Sequence, residues 1–136
     1  MPAETPLHPS QFKVNEAWIA FKLNHAPIRT VQDGDFYFLA LMDSASCYIL
    51  GSTPVAAKQA EPSELEARSL LRAGRAHKAR WPRTLLVPAE QRAEFLVIEA
   101  EPHGIEVVRV AEAQLSMFIG EAQQGFRERS GGLSTH

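Results

Sequence analysis

The sequence of 136 residues holds a single cysteine, Cys47. No disulfide can form within the chain, and a reducing compartment suits it. Cys47 stands beside Tyr48-Ile49-Leu50, an apolar setting that reads as a small buried hydrophobe rather than a nucleophile. Long apolar runs are missing as well: nowhere do the roughly 18 successive apolar residues of a membrane span occur. Residues 1–9 have neither the basic nor the apolar region of a signal peptide. A soluble, cytoplasmic protein is the expectation. Charge of one sign is also lacking, since 14 Lys and Arg face 16 Asp and Glu for a net charge of -2. Binding to nucleic acid or anionic membrane would therefore need a local patch. The histidines, at positions 8, 25, 77, 103 and 136, form no i, i+4 pair and have no cysteine pair beside them, which argues against structural zinc. There is no G-x-S-x-G elbow. No glycine-rich phosphate loop is present either, because Gly131-Gly132 falls after the last expected helix. No metal or cofactor is expected.

What is present reads as one domain over residues 12–129, with an extended arm at 1–11 and a flexible tail at 130–136. Trp18, Ile19 and Phe21 mark a first strand over 16–23, broken by Asn24-His25-Ala26-Pro27. Asp33-Gly34 supplies turn geometry. The nearly continuous apolar run 36–42 suits a strand buried on both faces. Asp43-Ser44-Ala45-Ser46 turns the chain into a partner strand over 47–55, so a hairpin is predicted.

Ser63 and Glu66 form a capping box for the first helix. Ala67, Leu70, Leu71, Gly74 and Trp81 fall on one arc, with Pro82 as the stop. Residues 85–87 make a short buried strand. Residues 90–101 make a helix with Ala93, Leu96, Val97 and Ala100 inward, and 105–110 have the β-branched density of a strand. A last helix over 112–129 carries Leu115, Phe118, Ile119, Ala122 and Phe126 at helical spacing. The order is β-β-β-α-β-α-β-α, an α/β fold with a mixed five-stranded sheet and right-handed crossovers.

With the elements in place, three stretches carry a resemblance to a known family. These are Leu41-Met42-Asp43-Ser44-Ala45-Ser46-Cys47-Tyr48-Ile49-Leu50-Gly51, the run from Ala76 through Trp81-Pro82 to Val87, and Gly104-Ile105-Glu106-Val107. In order and spacing the chain resembles the catalytic core of retroviral integrases and related transposases, of ribonuclease H-like fold, over residues 14–129. The resemblance implies a carboxylate triad holding two divalent metals for phosphoryl transfer. One carboxylate would lie within the first strand, where 18–23 offers Lys22 and no acid. A second would follow the central strand, where Val87-Pro88 stands and Glu90 is the nearest acid. The third would come from the last helix, where Glu112 and Glu121 are available, Glu121 being expected to face solvent. The triad is thus unmatched, and the expected protein is a non-catalytic binding or interaction module.

Other constellations leave alternatives open. Asp33, Asp35 and Asp43 read as turn residues; Asp43, Glu90 and Glu112 are the carboxylates left for a hydrolase or nuclease with a non-standard site. Arg68, Arg72, Arg75, Lys78, Arg80 and Arg83 place six of the 14 basic residues within a short stretch. Only Glu64 stands four residues from one of them, Arg68. Arg68, Arg72 and Arg75 could bind phosphates, as in a nucleic-acid-binding protein, or an acidic partner surface. The same face could equally be solvated and balanced by acids of neighbouring elements. A protein partner or a homodimer is also open, the last helix offering its Phe and Leu residues.

Overall fold

The computed structural model describes residues 6–32 and 34–134. Asp33, residues 1–5 of the expected arm and residues 135–136 of the expected tail lie outside them. Five strands, β1 (Ala17–Lys22), β2 (Phe36–Asp43), β3 (Ile49–Ala56), β4 (Thr84–Pro88) and β5 (Glu106–Val110), interleave with α1 (Glu64–Lys78), α2 (Glu94–Ala100) and α3 (Ser116–Ser134). The predicted element order holds. The strands lie side by side as β3-β2-β1-β4-β5. The hairpin half is antiparallel, with Trp18 opposite Asp43 and Leu39 opposite Thr53. The half reached through α1 and α2 is parallel, with Trp18 opposite Leu85 and Leu86 opposite Val108.

Alternation along β1 divides the interior into two cores, because successive side chains leave opposite faces of a strand. Trp18 and Ala20 join Leu41, Leu70, Leu71, Leu85 and Leu96 beneath α1 and α2. Ile19 and Phe21 join Met42, Leu86, Leu115, Phe118 and Ile119 beneath α3. Leu7 and Phe12 pack on this second core, and the Leu7 N–H donates to the Gln114 carbonyl at 2.9 Å. Of the expected arm, residues 6–11 therefore pack against the domain, with a 3-10 turn at Pro9–Gln11. Among the described residues no helix is long and apolar enough to cross a membrane.

The helix boundaries depart from the sequence reading in three places. The Ser63 hydroxyl accepts the Glu66 N–H and the Glu66 carboxylate accepts the Ser63 N–H, the expected capping box. At its other end, however, α1 stops at Lys78 instead of reaching Trp81. Ala79 takes a left-handed conformation (φ 67°) and its N–H closes on the Arg75 carbonyl at 2.8 Å. Trp81 then packs beside Trp18 from outside the helix, with ring centroids 6.2 Å apart.

The second helix begins at Glu94, not Glu90. The Ala89 N–H extends the sheet to the Val110 carbonyl and the Gln91 N–H turns back to Pro88, so this backbone is already engaged. The last helix opens with a 3-10 turn, Glu112–Leu115, and continues through Ser134 into the segment expected as tail.

Candidate functional site

In parallel α/β sheets, the crevice at the carboxyl ends of the central strands is the usual place for a site. Here that crevice lies where β1 and β4 end. Phe21 is fully buried toward α3. The next residue, Lys22, holds its ammonium 4.4 Å from the centroid of the Tyr37 ring. Burial, with the charges of Glu66 and Glu61 adding to it, pushes the Tyr37 phenol up, so the ring stays neutral beneath the cation. The Lys22 backbone is held on both sides: its N–H donates to Gln91 Oε1 at 3.3 Å and its carbonyl accepts from Gln123 Nε2 at 2.8 Å.

Across the crevice Pro88 is buried, and the Arg109 guanidinium donates to the carbonyls of Pro88, Ala89 and Gln91. This one side chain bonds three carbonyls of the turn, of which Pro88's also accepts the Gln91 N–H. Glu90 and Glu112 meet at the same edge. Glu90 Oε1 accepts the Glu112 N–H at 3.0 Å, capping the turn that starts the last helical segment. Glu112 Oε2 lies 2.8 Å from His25 Nε2 in the loop after β1. Both acids thus have structural partners.

Asp43 is elsewhere. It is fully buried at the opposite end of the strands, paired with Trp18 at the start of β1. Its carboxylate accepts from the N–H groups of Asn15 and Ser46 and the Ser46 hydroxyl. Asp35 is exposed before β2, and Glu121 is exposed on α3. Among the described residues no three His, Cys, Asp or Glu side chains gather as a metal site.

The basic residues also separate. Arg68 is clamped, with Nε and Nη2 each 3.1 Å from the Glu99 carboxylate of α2 and Nη2 3.1 Å from Glu64. Arg72 and Arg75 are exposed, and among the described ion pairs none involves Arg72, Arg75, Lys78, Arg80 or Arg83. Arg75, Arg80 and Arg83 stand beside Trp81. Trp81 stacks on His103 with centroids 4.0 Å apart at 18°, and the Arg75 guanidinium stands 6.0 Å from the Trp81 ring. Tyr48 stacks on His77 at 5.0 Å. A depression of about 380 Å³ adjoins Trp81, lined also by Lys13, Asn15, Glu16, Arg80 and Arg83.

The sequence reading found Arg72 and Arg75 but missed the Trp81–His103 stack. One signal was available: a residue before proline is pushed out of the helical region, so Trp81 before Pro82 belongs outside the helix. The pairing with His103, 22 positions on, had no local signal. The Arg109 clasp and the His25–Glu112 pair are equally long-range.

No family model and no curated protein sequence matches the chain. Solved structures do. It is similar to a chain of the simian T-cell lymphotropic virus intasome solved in complex with the PP2A regulatory subunit B56 gamma, at TM-score 0.58 and 12% identity. The match covers 93% of this chain and 43% of the viral one. It is also similar to the catalytic core domain of BIV integrase, at TM-score 0.56 and 9% identity, over 87% of this chain and 70% of that domain. At these identities the likeness is one of fold: α/β, with the mixed five-stranded sheet of the ribonuclease H-like integrase core.

Proposed function

We propose that the chain is a non-catalytic binding module on a ribonuclease H-like scaffold, with an anionic partner held at the carboxyl end of α1. The observation that carries this reading is the set Arg72, Arg75, Lys78, Arg80 and Arg83, free of ion pairs among the described residues, of which Arg75, Arg80 and Arg83 stand beside Trp81 and its stack with His103. Arg68 contributes less, since Glu99 and Glu64 already neutralise it.

The residues at the crevice do not fit a pair of divalent metals. Phe21-Lys22 and Val87-Pro88 offer no carboxylate, and two cations, Lys22 and Arg109, stand at these strand ends, where they would repel a metal ion. Glu90 and Glu112 are engaged with backbone and with His25. The triad is degenerate on this reading. A hydrolase using Asp43 together with Glu90 or Glu112 would need acids from opposite ends of the strands to converge.

A nucleic-acid strand is a second reading, favoured by the stack of half-buried Trp81 with exposed His103, because bases stack on aromatic faces while cations follow phosphates. Heparin chromatography tests the shared chemistry. Retention that falls with salt and collapses in Arg72→Glu/Arg75→Glu is the expected result; no retention at low salt overturns it. A labelled oligonucleotide then separates the strand from an acidic protein surface. A rise in melting temperature on adding magnesium or manganese would return the metal enzyme to consideration.

A further inference from the structure

On the opposite side of the sheet from α1, a groove of about 620 Å³ runs between α3 and the β2–β3 hairpin. Leu23, Phe38, Met42, Phe118 and Phe126 form its apolar walls. At its mouth Met117 is 56% exposed and Ile49 36% exposed.

The α3 side of this groove carries Met117, Glu121, Gly125 and Arg129 at successive i, i+4 positions. Glu121 and Arg129 stand four residues to either side of Gly125, and neither has an ion pair among the described residues. Such a stripe is its own complement when reversed. A two-fold axis through Gly125 places Glu121 of one copy against Arg129 of the other, twice, as an isologous interface requires.

We infer that this face receives a second copy of the chain, with the two α3 helices crossing antiparallel at Gly125. Ridges made of i, i+4 rows interlock at about 50°, which brings the backbones closest where the side chain is smallest. The Arg129 guanidinium now folds over that gap, 3.3 Å from where a Gly125 Cβ would stand. In the pair it turns to the other copy's carboxylate. α3 has 19 residues, about 28 Å of helix at 1.5 Å per residue, long enough to carry such a contact.

Sedimentation equilibrium of the full chain across a concentration series tests this. A mass rising from 15.1 kDa toward twice that value is expected. Glu121→Arg and Arg129→Glu should each abolish the rise, and the double charge swap should restore it. These side chains are exposed, so circular dichroism should show unchanged folds. Gly125→Leu should also give monomer. A wild-type chain that stays at 15.1 kDa overturns the inference. So does a dimer indifferent to both single variants, and so does a swap that fails to rescue.

Discussion

The backbone N–H of Asn15 donates to Asp43 Oδ1 at 2.7 Å, tying the segment before β1 to the end of β2. Asn15 then accepts the Trp18 indole N–H at 2.7 Å through its own side-chain oxygen. Asp43 Oδ2 takes the Ser46 N–H and hydroxyl, at 3.0 and 2.7 Å. The acid left as a candidate for a non-standard carboxylate site is thus the knot of the hairpin turn. Removing a buried acceptor strands its donors, at about 1–3 kcal/mol for an unsatisfied group. Asp43→Ala should destabilise the chain by about 3 kcal/mol in urea unfolding. A loss within about 0.5 kcal/mol, the range of ordinary surface changes, would contradict this role.

Gly74 is where α1 meets the sheet. A Cβ there would lie 2.7 Å from Leu41 Cδ2 and 2.7 Å from Trp18 Cζ3. Alanine should favour the helix by about 1 kcal/mol, but overpacking costs about 1–3 kcal/mol, and both neighbours are fully buried. Gly74→Ala should therefore lower the unfolding midpoint, whereas Gly120→Ala on α3, where a Cβ meets nothing within 4 Å, should raise it.

The same packing explains what could be read in advance. Strands and helices were legible because their apolar periods are local: Trp18 and Ala20 on one face, Ile19 and Phe21 on the other, Phe118 and Ile119 on one helical stripe. The fold class followed from their order. Helix ends were not legible where a backbone group bonds at long range, as with the Ala89 N–H that reaches Val110 and delays α2 to Glu94. Only Glu64 could be paired with Arg68 in advance, because its other partner Glu99 is 31 residues away. For the same reason Asp43, Glu90 and Glu112 could be named as acids, while the strand ends they occupy could not be assigned.

Cys47 adopts φ 59° at the end of the hairpin turn and lies partly buried in the α3 groove. Burial first, then the charges of Glu121 and Asp43, push its thiol up. Less thiolate is then present than in an exposed cysteine, and the thiolate is the nucleophile. Iodoacetamide at neutral pH should alkylate the native chain more slowly than the urea-unfolded one, and Glu121→Gln should speed the native reaction. A native rate at or above the unfolded rate would count against this.

The Arg68 guanidinium beside Glu99 holds that carboxyl below the usual carboxylate range, and the charges of Arg72 and His103 act the same way. The folded chain therefore holds this proton less tightly than the unfolded chain. Stability from the pair is present above the ordinary glutamate value of about 4.3 and is lost as pH falls through the lower folded value. Urea midpoints of the wild type should climb more steeply with pH across this acid window than those of Glu99→Gln. The two curves should converge at the acid end. The same substitution releases Arg68 from α2 while keeping the side chain's size. If the basic end of α1 is the partner surface, Glu99→Gln should elute from heparin at higher salt than wild type. Unchanged elution would leave Arg68 outside that surface.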